Sequence, residues 1–211
     1  MQGLKHSPEA DYEPGISAWL DVLLHKSSET YHHCVRVALL SERMGQALHM
    51  SRRSIDRLMR GCFVHDLGKV MLPREILTKK APLNAKEWTI MKLHPLLGAD
   101  LLELGKGMEP EVVEMVRHHH ERWDGTGYPS GLKGEEIPFY SRLCAVVDAF
   151  DSMISDRPYR RALTVQEAKE ELHRGSGTQF DRRMVRLFLD VYEEVPMMYV
   201  DRPLQLASQR S

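Results

Sequence analysis

Apolar residues recur at three- and four-residue spacing through most of the chain, the period of helices that turn one face to a core. The longest stretch has Val35, Val37, Leu39, Leu40, Met44 and Leu48; Ser27 or Ser28 opens it as an N-cap, and it runs to about Met50. A short helix over residues 16–26 precedes it, behind a polar lead-in that holds Pro8 and Pro14. Ser51 caps the next helix, to about His65. Residues 66–83 read as a loop with Pro73 and Pro82 and one turn at 73–77. Asn84 caps a helix to about Leu93, and further helices run from Pro95 to about Leu104 and from Pro110 to about Glu121. Residues 122–137, RWDGTGYPSGLKGEEI, form a Gly-rich loop of a length that is uncommon in compact domains and often functional. Pro138 fits the first position of a helix to about Ser155. Thr164 and Glu167 read as a capping box opening a helix to about Arg174, and Asp181 caps the last, to about Glu194. Strand alternation, repeats and low-complexity segments are absent from the sequence, so the predicted class is all-α.

Composition narrows this picture. The chain has 211 residues, enough for one domain that buries about 70% of its unfolded surface. The boundaries expected are a lead-in and short helix over 1–26, a main domain over 27–195 and a tail over 196–211. A net charge of −1 favours neither a nucleic acid polymer nor an anionic membrane, so an anion site must be a local patch. Apolar runs fall short of the roughly 20 residues that span a bilayer, and the N-terminus lacks a signal-peptide core. Cys34, Cys62 and Cys144 are odd in number and widely spaced, which reads as buried free thiols in a reducing cytoplasm.

Candidate chemistry centres on HDLGK, His65 to Lys69, where an apolar helix ends in a His and a carboxylate. Charge at that depth needs a partner or a metal. Glu29 and His33 stand one turn apart on a helix face, although a first-turn Glu and a surface His are the plainer reading. His94 precedes Pro95 at a helix boundary, where, taken alone, a cap or surface His is the plainer reading. His118, His119 and His120 end a helix; adjacent helical residues diverge by about 100°, so two of them reach two neighbouring ions more easily than one. Asp148 sits in the apolar LCAVVDAFDSMI, with Asp151 able to share its face; an ion pair in the core is the structural alternative. Together these His and carboxylates suit Fe, Mn, Zn, Ni or Co, and outnumber what a single ion needs.

These residues resemble the HD-GYP family of phosphodiesterases. The resemblance rests on HDLGK, on HHERWDGTGYP with its Gly127-Tyr128-Pro129, on VVDAFDSMISDRPYR over 146–160, and on GTQFD over 177–181. It covers roughly residues 27–190. Lys80-Ala81 and Arg182 depart from the family pattern, at positions that are not ligands. The resemblance implies an HD-domain-like helical bundle with a central metal site. Its metal ligands would be Glu29, His33, His65, Asp66, His94, His119, His120 and Asp148, leaving His118 outside, and they would hold two or three divalent ions, Fe or Mn before Zn, Ni or Co. It implies hydrolysis of cyclic di-GMP to pGpG, with GMP as a further product. Asp66 would bridge two ions about 3.5–4 Å apart, and a water or hydroxide between them would attack phosphorus in line. Lys69, Arg157 and Arg160 would hold substrate phosphates, and Tyr128 would contact substrate from a loop that Gly125 and Gly127 let turn tightly. Trp123 fits packing better than guanine stacking. Expected partners are diguanylate cyclase-type proteins at the loop and a second copy in a homodimer. The alternatives are an HD-type phosphohydrolase for another cyclic dinucleotide or nucleotide, and a non-catalytic cyclic di-GMP receptor. A di-iron oxygen-activating bundle fits poorly, because it would use Glu-x-x-His pairs that the chain lacks.

Overall fold

A computed structural model describes residues 14–105, 107–156 and 161–194. Among these it contains ten α-helices and two short 3₁₀ turns. The α-helices are α1 Pro14–Lys26, α2 Ser28–Ala47, α3 Arg52–Val64, α4 Arg74–Leu77, α5 Ala85–Met91, α6 His94–Gly105, α7 Pro110–His118, α8 Phe139–Ile154, α9 Val165–Gly175 and α10 Arg182–Glu194. The 3₁₀ turns are Leu67–Met71 and Gly134–Glu136. Strand pairing among the described residues is limited to one isolated bridge, Ser176 to Phe180. The all-α expectation holds.

Capping fixes where several helices start. Ser27 Oγ accepts from Thr30 N, Ser51 Oγ from Ser54 N and Thr164 Oγ1 from Glu167 N, while Asn84 and Glu87 close a full capping box. Ends differ more. α2 stops at Ala47, α5 at Met91 and α7 at His118, each short of its sequence estimate, and Pro138 is the N-cap of α8, not its first residue. The expected loop after Asp66 is mostly turned backbone, a 3₁₀ turn followed by α4.

α2 is the spine and packs on α1, α3, α8 and α10. Its buried face is Cys34, Val37, Ala38, Ser41, Met44 and Gly45, with His33 at the N-terminal end. Leu39, one of the apolar residues that predicted this helix, is 36% exposed. Phe63, Phe150, Phe188, Leu58 and Met115 fill the space between helices, and each such side chain contributes about 2–3 kcal/mol on burial. The turn at Leu67–Met71 lies against α6, where Gly68 is obligatory: a Cβ there would stand 2.0 Å from His94 O and 2.5 Å from Gly98 N. Lys26, at the end of α1, donates from Nζ to Val70 O at 2.7 Å and to Leu72 O, pinning the same turn from the other side. Cys34, Cys62 and Cys144 are free and buried. Among the described residues no helix is long and apolar enough to cross a membrane.

Candidate metal centre

Helix ends aim the histidines. His65 follows the last residue of α3, His94 opens α6 just beyond α5, and His119 follows the last residue of α7. Each sends its ring back to a carbonyl three residues upstream, among the groups that a helix end leaves without an intrahelical partner. His65 Nδ1 donates to Cys62 O, His94 Nδ1 to Met91 O and His119 Nδ1 to Val116 O, all at 2.7 Å. A carbonyl only accepts, so Nδ1 carries the proton and Nε2 is left as a lone pair. His33 lies inside α2 and uses another acceptor: its Nδ1 faces Asp151 Oδ2 at 2.7 Å.

The donors gather in two groups. His33, His65 and Asp66 offer atoms within 4.8 Å of one another, and so do His94, His119 and His120. Asp66 joins them. Its Oδ1 lies 3.2 Å from His94 Nε2 in one group, and its Oδ2 lies 3.6 Å from His65 Nε2 in the other. Asp148, from α8, closes the first group, with Oδ1 3.0 Å from His33 Nε2 and 3.8 Å from His65 Nε2. His119 and His120 share one group, contrary to the divergence expected of adjacent helical residues. The physical reason is that α7 ends at His118, so the two rings lie 4.1 Å apart instead of fanning round a helix.

Electrostatics separates the roles. Burial opposes charge on His65, His119 and His120; all three fall below their ordinary pKa, His120 to about 3, so they are neutral imidazoles. Burial opposes charge on His33 too, but Asp148 and Asp151 outweigh it and lift the group to about 9. Asp66 stays ionised well below the usual carboxylate range, because Lys69, His65 and His94 outweigh its burial. Asp148 does so through His33 and His65.

The donor chemistry fits divalent metal. His65 Nε2 is buried without a hydrogen-bond partner. His94 Nε2 and His119 Nε2, both lone pairs, face each other at 3.3 Å, which is repulsive unless a cation lies between them. Two ligands bonded to one ion at about 2.1 Å stand roughly 3.0–3.4 Å apart, near the separations seen here. Neutral imidazoles with carboxylates suit first-row transition ions.

The other predicted site residues fall as follows. Lys69 Nζ caps Asp66 Oδ2 at 2.5 Å at the edge of the cluster. Tyr128 is half-buried, with its ring 5.0 Å from that of His120. Glu29 lies on the exposed side of α2 and belongs to neither donor group. His118 turns away, toward Glu114 at 3.4 Å and Glu121 at 3.6 Å. Arg157 and Arg160 lie outside the described residues. Trp123 packs between the guanidinium groups of Arg142 and Arg183, each 5.8 Å from its ring, as the packing expectation had it.

Two residues that brace the cluster and its loop were not singled out in the sequence. Glu121, buried directly after the His pair, accepts from Ser130 N at 2.6 Å and from Gly131 N and Leu132 N at 3.1 Å. It folds the Gly-rich loop back so that Tyr128, before a cis bond to Pro129, meets His120. Gly127 completes the fold-back: a Cβ there would stand 2.3 Å from Arg122 N. The available signal was an acidic residue next to a loop whose backbone donors need an acceptor. Asp151 was marked only as sharing a face with Asp148; its partners, His33 and Arg36, lie more than 100 residues away in sequence.

Comparison with known proteins agrees with this geometry. The family model described as "HD domain" matches residues 19–184. A "3'3'-cGAMP-specific phosphodiesterase 2" of Vibrio cholerae is 36% identical over 170 residues, which cover 80% of this chain and 33% of that protein. A "Cyclic di-GMP phosphodiesterase" of Thermotoga maritima is 34% identical over 194 residues, 90% of this chain and 53% of that protein. The chain thus spans from a third to about half of the length of these curated relatives. An "HDG"Y"P protein" from Bdellovibrio bacteriovorus shares the fold with a TM-score of 0.65 at 23% identity, over 77% of this chain and 52% of that one. The family model spans most of the chain, and the His-Asp doublet lies at the heart of the donor cluster: the chain belongs to the HD domain family.

Proposed function

We propose that this chain is the catalytic domain of a phosphodiesterase that hydrolyses cyclic di-GMP to pGpG, with GMP as a further product. The observation that carries the reading is Asp66, whose two oxygens face two separate donor groups. That is the arrangement for a pair of divalent ions, which polarise a phosphate and lower the pKa of a water. The chain's own residues do the rest. His33, His65, His94, His119, His120, Asp66 and Asp148 hold the ions; Lys69 presents a cation beside Asp66 where a phosphate oxygen would approach; Tyr128 walls one side over His120. Arg157 and Arg160 are assigned to substrate phosphates on sequence grounds, and Glu29 to a third ion. Iron or manganese is the expected metal, and 27–195 the extent of the domain.

The exposed loop tip at Ser130 and Gly131 supports a role in binding diguanylate cyclase-type proteins. A homodimer and a cytoplasmic location complete the reading.

A second reading, hydrolysis of 3'3'-cGAMP, is supported by the relative of that specificity in Vibrio cholerae. Protein purified without oxygen and loaded with iron or manganese is incubated with each dinucleotide, and products are separated by chromatography. Faster release of pGpG from cyclic di-GMP supports the first reading; faster cleavage of 3'3'-cGAMP supports the second. Tight binding of cyclic di-GMP without any product would make the chain a receptor.

A further inference from the structure

We propose that Asp151, clamped by Arg36, is a positioning residue that turns His33 into a metal ligand; the proposal rests on the metal-centre reading above. Three of the cluster's histidines are oriented by carbonyls at the ends of the helices that lead into them. His33 has no helix end beside it, because it lies in the second turn of α2. There the backbone carbonyls of the helix are committed to its own ladder, so an outside acceptor is needed. Asp151 reaches across from α8 and supplies it, with Oδ2 2.7 Å from His33 Nδ1. Asp148, three residues earlier on the same helix face, meets the other nitrogen at 3.0 Å. One imidazole thus bridges two carboxylates of α8, one that orients it and one that belongs to the donor group.

Asp151 is itself over-determined. It is 1% exposed. Arg36, one turn after His33, grips both of its oxygens, Nε to Oδ1 at 2.7 Å and NH2 to Oδ2 at 2.9 Å. Ser155 Oγ lies 3.4 Å from Oδ2 and accepts from Arg36 NH2 at 3.0 Å. A bidentate guanidinium fixes the plane of a carboxylate, and the fixed carboxylate fixes the ring. A carboxylate behind a ligating His also makes it a better donor. The clamp therefore acts on the group of His33, His65 and Asp66, and leaves the group of His94, His119 and His120 untouched.

The experiment is calorimetric titration of Mn(II) into metal-free protein, for the parent, Asp151→Ala, Asp151→Asn, His33→Ala and the double variant His33→Ala/Asp151→Ala. Asp151→Ala is expected to weaken one class of site roughly ten- to a hundredfold and the other less than about twofold. Asp151→Asn, which keeps the shape and loses the charge, is expected to weaken the same class roughly tenfold; it decides the matter if the alanine variant does not fold. In the His33→Ala background, removing Asp151 is expected to change nothing further. Unchanged titrations in both Asp151 single variants overturn the proposal, as does an equal loss with and without His33, which marks Asp151 as packing only. A parent that binds no Mn(II) overturns the metal-centre reading itself, a result distinct from a parent that binds and an Asp151 variant that matches it.

Discussion

Single residues in this cluster titrate in opposite senses, and the sign of each is set by its surroundings. His65, His119 and His120 have folded pKa values below the ordinary 6.5, His120 at about 3. In the metal-free protein the unfolded chain therefore takes up these protons first, and stability is lost as pH falls below 6.5. His33 is raised from 6.5 to about 9, so its contribution is complete below 6.5 and is lost as pH climbs toward 9. Three groups act on the acid side and one on the alkaline side. Melting of the metal-free protein is expected to peak at about pH 6.5 and to fall more steeply toward acid. A melting temperature that rises steadily from pH 6.5 to 9 would contradict these assignments. Glu121 carries a second prediction. Its three backbone bonds hold the loop at Ser130, Gly131 and Leu132. Hydrogen bonds to a charged acceptor contribute about 1.5 kcal/mol each, so Glu121→Ala should speed exchange of these amides about tenfold or more. Protection equal to that of the parent would show that the loop is held by other contacts.

Elements place these residues through close backbone approach. Gly68 lets the turn at Leu67–Met71 touch α6, which brings Asp66 against His94. Gly68→Ala should cost about 3 kcal/mol and lower the melting temperature by roughly 10 °C. It should also weaken metal binding, because Asp66 and His94 would be pushed apart. A thermal melt and a metal titration check both effects, and an unaltered melt would mean that the turn and α6 separate freely. Helix starts were legible in the sequence because Ser27, Ser51, Asn84 and Thr164 cap through their own side chains, a short-range signal. Helix ends were less so. No equally local residue marks the stop of α7 at His118, yet that stop is what brings His119 and His120 together. The candidate donors were readable because a His or Asp in an apolar run is costly without a partner. The residues behind them were not: Asp151 and Arg36 look like an ordinary helical acid and base until α2 meets α8.

The whole molecule is a helical shell closed around a charged centre. α2, α3, α6, α7 and α8, or the residues at their ends, each send a candidate metal donor inward, so an ion bound there would tie these elements together. Removing bound ions is expected to loosen the assembly. At a hundredfold excess over its Kd each site adds about 2.7 kcal/mol, so stripping two sites should lower the melting temperature by roughly 15 °C. An equal melt with and without chelator would separate the fold from the metal.

Metal content per chain of Asp66→Ala, measured beside the parent by elemental analysis, tests the central claim most directly. Asp66 touches both donor groups. The parent is expected to hold at least two ions, and the variant to lose metal together with hydrolysis of cyclic di-GMP. A variant that keeps the parent's metal content and turnover would contradict the account.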